Sequence, residues 1–110
     1  MNPIIGITAS INIINYETEK QSVIMSPLNY LSAVNRSGGV GVIISEGDNI
    51  EEIFGILDGI IITGGRDINP ELYDQDIHEQ TTDIKNSQDE WELLLISEAI
   101  ERDLPILCIC

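Results

Sequence analysis

Residues 57–65 read Leu57-Asp58-Gly59-Ile60-Ile61-Ile62-Thr63-Gly64-Gly65, with three consecutive isoleucines enclosed by glycines. β-branched residues favour strands. Because the apolar residues are consecutive rather than alternating, the strand is expected to be buried on both faces, as in a parallel sheet. The glycine pair lets the backbone turn sharply and approach a ligand closely. This stretch therefore predicts a buried parallel strand, 59–63, that ends in a glycine turn.

Three more apolar runs predict strands at residues 3–8, 40–45 and 106–110. Amphipathic segments between the strands predict three helices, each opened by an N-cap at Ser26, Asn49 or Ser87. The first is expected to end at Gly38-Gly39, the second near Leu57 and the third near Arg102. Strands that alternate with helices indicate an α/β fold, here the N-terminal half of a flavodoxin-like, doubly wound, mainly parallel sheet with flanking helices.

Helical spacing also predicts which residues of each helix face the core. The expected core positions are Leu28, Leu31 and Val34, then Ile53, Ile56 and Leu57, and finally Leu93, Ile96, Ala99 and Ile100. Two polar segments without periodicity, 9–25 and 64–86, are predicted to be loops. All 110 residues are expected to form a single domain, truncated on its C-terminal side.

The charge balance restricts the classes of partner. The formal net charge is -14, from 19 acidic and 5 basic residues, so nucleic acid and anionic membrane surfaces are not expected as partners. No signal peptide and no apolar run of bilayer length is apparent, which favours a cytoplasmic protein. The two cysteines, Cys108 and Cys110, are expected to be reduced thiols.

Ligands of doubly wound sheets bind at the carboxyl ends of the strands, where two features of this sequence fall. Cys110 ends the last strand, in a position where a thiolate could attack an acyl group; the competing interpretation is a small core residue. Gly64 and Gly65 could present backbone N–H groups to an oxyanion, although a plain tight turn explains them equally well.

Other polar residues give weaker signals. The only histidine, His78, lies in an acidic predicted loop and is a minor candidate for a catalytic base. Glu92 falls within the apolar part of its helix, so it is expected to have a partner, to face a cavity or to reach the rim. The G-x-G-x-x-G and phosphate-loop patterns are absent, and Cys108 with Cys110 is too small a ligand set for zinc. No cofactor or metal is therefore expected.

The whole chain resembles the first half of the γ-glutamyl-γ-aminobutyrate hydrolases, which are class I glutamine amidotransferase-like hydrolases. The resemblance rests on several short segments in the family's order. They are Pro3-Ile4-Ile5-Gly6-Ile7-Thr8, Asn29-Tyr30-Leu31, Ala33-Val34, Gly38-Gly39, the stretch 57–65, Asp67 with Pro70 and Tyr73, Asp89 with Glu92, and Pro105-Ile106-Leu107 leading to Ile109-Cys110. Gln88 departs from the family, which often has arginine before Asp89, and Cys108 stands where the family usually has glycine.

The resemblance implies a Cys-His-Glu triad. Cys110 matches the nucleophile, and Gly64 and Gly65 match the loop that contributes to the oxyanion hole. The family's histidine and glutamate lie downstream of the nucleophile, and His78 does not match that histidine. The implied reaction is hydrolysis of a γ-glutamyl amide through a cysteine thioester. Residues 1–110 assayed alone are accordingly expected to be inactive or nearly so.

Two alternatives to this hydrolase remain open. One is a glutaminase subunit that supplies ammonia to a synthetase, and the other is a degenerate, non-enzymatic chain that keeps the half-sheet. The expected partner is a small γ-glutamyl substrate. Self-association is also expected, because the last predicted strand has an unprotected edge.

Overall fold

The computed structural model describes residues 2–63 and 86–109, and gives only the backbone of Asn86. The elements in chain order are β1 Ile4–Thr8, β2 Ser10–Tyr16, β3 Glu19–Met25, α1 Leu28–Arg36, β4 Val40–Ile44, α2 Ile50–Phe54, β5 Gly59–Ile62, α3 Asn86–Glu101 and β6 Ile106–Cys108. The predicted segment 64–86 and residue Cys110 lie outside the described residues, apart from the backbone of Asn86.

Four strands form one parallel sheet in the order β4-β1-β5-β6. β1 is central and pairs in parallel with β4 on one side and with β5 on the other. Helices α2 and α3 contribute to the core on one face of the sheet, and α1 packs on the other. The predicted α/β fold with a mainly parallel sheet is confirmed. All four strands end at the same edge, which we call the carboxyl edge.

The main core lies between the sheet and helices α2 and α3. It is built from side chains that are all at least nine-tenths buried: Ile44, Phe54, Leu57, Ile60, Ile62, Trp91, Leu95 and Ala99. On the opposite face, Gly41 lets α1 approach β4. A Cβ atom at this position would clash with a Leu31 methyl group. A side chain at residue 41 would therefore require the Leu31 side chain to move.

Two predicted helix ends are confirmed. Gly38 adopts a φ of 94°, and the N–H groups of Gly38 and Gly39 bond back to Asn35 and Val34, which is a Schellman motif. The Asn49 side chain accepts a hydrogen bond of 3.0 Å from the Glu52 N–H and so caps α2.

Two other caps were predicted wrongly. Pro27 is the N-cap of α1, and the Ser26 hydroxyl is buried without a hydrogen-bond partner among the described residues. The third helix already begins at Asn86, so Ser87 lies inside it rather than before it. Pro27 has a φ of -56° and a ψ of 133°, outside the helical region, so α1 begins at Leu28 and its N-cap lies one residue later than predicted.

Residues 9–25 were predicted to be a loop, and this was wrong: β2 and β3 form an antiparallel hairpin. Tyr16 pairs with Glu19 across a two-residue turn, in which Glu17 adopts a φ of 57°. The two residues of this turn do not include the glycine or asparagine that usually identifies such turns. Asparagines and the adjacent Ile13-Ile14 also blur the alternation of apolar and polar residues.

Some of the helix residues that were predicted to face the core are exposed instead. Leu95 and Ala99 are fully buried, whereas Leu93 and Ile100 are 45% and 69% exposed. The run Leu93-Leu94-Leu95-Ile96 is apolar on consecutive positions, so its spacing alone does not select a face. Two further residues predicted to face the core, Leu28 and Ile56, are 71% and 58% exposed.

Over residues 2–63 and 86–109, no helix combines the length and the apolar character that crossing a bilayer requires.

The face of α3 can be tested with two adjacent leucines. Leu95→Ala should lower the free energy of unfolding by about 2 to 5 kcal/mol, because it leaves a cavity in the core. Leu94→Ala removes the same atoms from a side chain that is 61% exposed and should cost well under half as much. Urea denaturation of the two variants gives the comparison, and equal losses would show that the assigned face is wrong.

Candidate active site

The last two strands of the sheet bring two sequence segments to the carboxyl edge. β5 and β6 are parallel neighbours, and Ile62 is the register partner of Cys108. Beyond the strands, the Ile109 N–H donates a 2.8 Å hydrogen bond to the Ile62 carbonyl. The two backbones therefore remain paired up to the residue that precedes Cys110.

The predicted site residues follow this paired region in the sequence. Ile62 and Cys108 are register partners in the two strands. Gly64 comes two residues after Ile62 in the sequence, and Cys110 comes two residues after Cys108. Backbones of adjacent strands are about 4.8 Å apart. Gly64, Gly65, Cys110 and His78 themselves lie outside the described residues, and their roles remain predictions.

A pair of threonines fixes the point where the chain leaves β5. The Thr63 N–H donates to the Thr8 hydroxyl at 3.0 Å, and the Thr63 hydroxyl donates to the Thr8 carbonyl at 3.1 Å. Their hydroxyl oxygens are 3.4 Å apart, and Thr8 is fully buried. Thr63, the residue before the diglycine segment, is therefore held to the end of the central strand. This pair was not predicted, although the repeated Ile-Thr at the ends of two strands was a signal in the sequence.

Cys108 is exposed and forms no disulfide. By strand alternation it shares a sheet face with Ile62, on the side of α3. Although its strand is an apolar run in the sequence, the Cys108 side chain is therefore not buried in the core.

The first turns of α3 carry three polar residues that are buried or half-buried, Gln88, Asp89 and Glu92, which we call the α3 polar cluster. The Trp91 indole N–H donates to the Asp48 carbonyl at 3.3 Å, and Asp48 lies in the turn that follows β4. This contact brings the first turns of α3 to the carboxyl edge. Asp89 is two positions before Trp91, and Glu92 is one position after it. Residues at these spacings project in different directions from a helix, so both side chains lie on a flank of α3 away from Trp91.

The cluster is buried to an unusual degree for polar side chains. Gln88 and Asp89 are 8% and 6% exposed, and the Gln88 carbonyl oxygen has no hydrogen-bond partner in the described part of the chain. Burial raises the pKa of Glu92; a hydrogen bond from Gln88 opposes this rise, and the nearby Asp89 adds to it. Gln88 is neutral and offers Glu92 no compensating positive charge.

The raised pKa predicts a pH-dependent effect of Glu92→Gln. Since the folded chain favours the protonated carboxyl, the stability linked to Glu92 is fully present below pH 4.5 and declines as the pH rises through the raised pKa. The variant should therefore gain melting temperature relative to the parent at pH 7, and gain less at pH 4. Glu90→Gln, on the exposed side of the same helix, is the control. The assigned cause is wrong if the two variants have the same pH profile.

Comparison with known proteins identifies the family. Residues 3–110 match the family model described as Peptidase C26. A relative in Rickettsia prowazekii, which carries the name glutamine amidotransferase-like protein RP404, is 36% identical over 84 residues, covering 74% of this chain and 30% of that protein. A Mycobacterium tuberculosis relative, named as glutamine amidotransferase Rv2859c, is 28% identical over 98% of this chain and 36% of its own length.

A third relative, protein NtpR of Enterococcus hirae, is 31% identical over the whole of this chain and 47% of its own length. The chain thus spans between about a third and a half of the length of these relatives. The family match extends through all the described elements, from β1 to β6. The chain belongs to the Peptidase C26 family, and two of the three relatives named here are called glutamine amidotransferases or similar to them.

Proposed function

We propose that this chain contributes the nucleophile and part of the oxyanion hole of a cysteine hydrolase that acts on γ-glutamyl amides. Cys110 would be the nucleophile, and the N–H groups of Gly64 and Gly65 would bind the oxyanion. One observation carries the proposal: the hydrogen-bonded register of β5 and β6, which extends to the bond between Ile109 and Ile62. It supports the emergence of the cysteine and the diglycine segment side by side at the carboxyl edge.

The proposed reaction has two steps. The Cys110 thiolate attacks the γ-carbonyl carbon of the glutamyl group, and the carbonyl oxygen becomes negative in a tetrahedral intermediate. The C–N bond then breaks, the amine leaves with a proton, and a thioester remains. Water adds to the thioester, the C–S bond breaks, and glutamate and the thiol are released. Fixed N–H donors stabilise the negative oxygen in both steps.

The threonine pair supports the oxyanion role of the diglycine segment. Catalytic hydrogen-bond donors are effective when they are held in place before the charge develops. Two hydrogen bonds join Thr63 to Thr8, which is fully buried in the central strand. The residue immediately before Gly64 is therefore fixed on its amide and on its side chain.

Proton transfer needs a base that the described residues do not provide. His78 is the only histidine of the 110 residues, and it does not match the histidine of the family triad. The relatives are two to three times as long as the matched region, so their additional length has room for such a base. We accordingly expect no measurable turnover of γ-glutamyl amides from residues 1–110 alone.

A second candidate is a glutaminase that passes ammonia to a synthetase. It is favoured by the names of the relatives, since two of them are called glutamine amidotransferases or similar to them. Both candidates use the same attack on the γ-carbonyl carbon and differ in the amine released. Release of free ammonia from glutamine that depends on a co-purifying synthetase would favour the glutaminase.

Covalent capture tests the proposed nucleophile. A γ-glutamyl analogue with an electrophilic carbon in place of the scissile carbonyl should alkylate Cys110 faster than Cys108. A γ-glutamyl amide should slow this reaction, because the two compete for one site. Mass spectrometry with fragmentation locates the adduct on either thiol.

Cys108 serves as the internal control, because it is an exposed thiol only two residues away. Cys108→Ser should leave the capture rate unchanged, and Cys110→Ser should abolish it. Equal labelling of both thiols without protection by the amide would contradict a directed site. A complete lack of capture would favour the non-enzymatic chain.

The threonine pair makes a separate prediction. Thr63→Val leaves the buried Thr8 carbonyl without the hydroxyl donor, which should cost about 1 to 3 kcal/mol of stability. If the pair positions the diglycine segment, the capture rate at Cys110 should also fall at temperatures where the variant is fully folded. Thr63→Ser keeps the hydroxyl and should restore most of the rate. Equal rates for the Thr63→Val variant and the parent, measured on folded protein, would remove Thr63 from the site.

A further inference from the structure

The β2–β3 hairpin exposes apolar side chains on both of its faces. Ile13 and Ile24 are diagonal neighbours on one face and are 71% and 57% exposed. Tyr16 and Met25, on the other face, are 62% and 47% exposed. The two strands form a sheet of their own, separate from the parallel sheet. An isolated pair of strands is only marginally stable in water, and a third strand usually provides the missing stability.

The register of the hairpin shows which backbone groups face outward. Tyr16 and Glu19 flank the two-residue turn, so they form a hydrogen-bonded pair, and such pairs alternate along an antiparallel ladder. Lys20, Ser22 and Ile24 therefore direct their N–H and C=O groups away from β2. No other described residue hydrogen-bonds to these groups. On the far side of the hairpin, by contrast, Ile11 has a further interaction within the chain.

The distribution of charge favours a second copy of the chain as the partner at this edge. Two copies with a net charge of -14 repel each other over most of their surfaces. The hairpin strands are an exception, since Ser10–Tyr16 contains no carboxylate and β3 contains only Glu19, beside the turn. A basic partner would be drawn to the acidic surfaces instead. At the hairpin strands, two identical chains can therefore approach with little repulsion.

We propose that the outer edge of β3 pairs antiparallel with the same edge of a second copy, forming a four-stranded sheet across a two-fold axis. Such an interface is self-complementary, as a two-fold dimer requires. In this register, Ser22 lies opposite Ser22 of the second copy. Lys20 of each copy then lies opposite Ile24 of the other, and Glu19 lies opposite Met25. No like charges face each other, and the outward N–H and C=O groups of both copies are satisfied.

Sedimentation equilibrium of the full chain tests the dimer. The parent should sediment with twice the mass of one chain, and added salt should strengthen the association by screening the negative charges. Ser22→Pro removes an outward N–H that the hairpin itself does not use, so the mass should halve. Ser22→Ala keeps that N–H and should remain a dimer. Leu107→Glu alters the exposed edge strand β6, where association was also expected, and should remain a dimer too.

Disulfide trapping gives a readout that does not depend on a disruptive variant. In a Cys108→Ser, Cys110→Ser background, Ser22→Cys should form a covalent dimer on mild oxidation. Its two Cα atoms would lie about 5.5 Å apart, within the range that disulfides need. Asn15→Cys, on the β2 side of the hairpin, should not cross-link. A monomeric parent, a dimeric Ser22→Pro variant, a monomeric Leu107→Glu variant or cross-linking through position 15 would each overturn the proposal.

Discussion

The parallel pairing of β5 with β6 is the constraint on which the candidate site depends. Parallel register fixes where each strand ends relative to its neighbour, and the bond from Ile109 to Ile62 continues it beyond the last strand. Thr63 and Ile109, the residues that follow β5 and β6, therefore lie at the same edge. A change of one residue in this register would turn every side chain of β6 to the opposite face, including the residues that lead to Cys110. Ile106 of β6 opposes such a change, because its side chain is partly buried against the core cluster on the α3 face.

Several polar groups lie at the carboxyl edge, near the paired ends of β5 and β6. Thr8 and Thr63 form hydrogen bonds with each other, and the Asp48 carbonyl accepts a hydrogen bond from the Trp91 indole. The α3 polar cluster lies on the first turns of α3. Buried polar groups without full hydrogen bonding are costly in a fold, and they concentrate where a protein binds or reacts. Among the described residues the Gln88 carbonyl oxygen has no partner, and burial raises the pKa of Glu92, which fits this pattern. Several buried polar groups of the described residues thus lie at the end of the sheet.

Sequence patterns predicted the parallel sheet well because its strands are continuous apolar runs bounded by glycine or proline. The glycine end of α1 and the asparagine cap of α2 were predicted equally well, because each depends on a few adjacent residues. The hairpin was not predicted, because Glu17 adopts a left-handed conformation that its sequence does not signal. The face of α3 was misassigned because Leu93, Leu94, Leu95 and Ile96 satisfy several helical registers. The threonine pair depends on strand order, which no local pattern encodes. The assignment of Cys110, Gly64 and Gly65 came from sequence and resemblance and awaits a direct test.

The central claim concerns one contact between two segments that are far apart in sequence. A crystal structure of the chain after reaction with the γ-glutamyl electrophile measures it directly. The account predicts a covalent bond to the Cys110 sulfur, with the adduct oxygen about 2.7–3.1 Å from the N–H groups of Gly64 or Gly65. A sulfur on the opposite side of the sheet, remote from the diglycine segment, would contradict it.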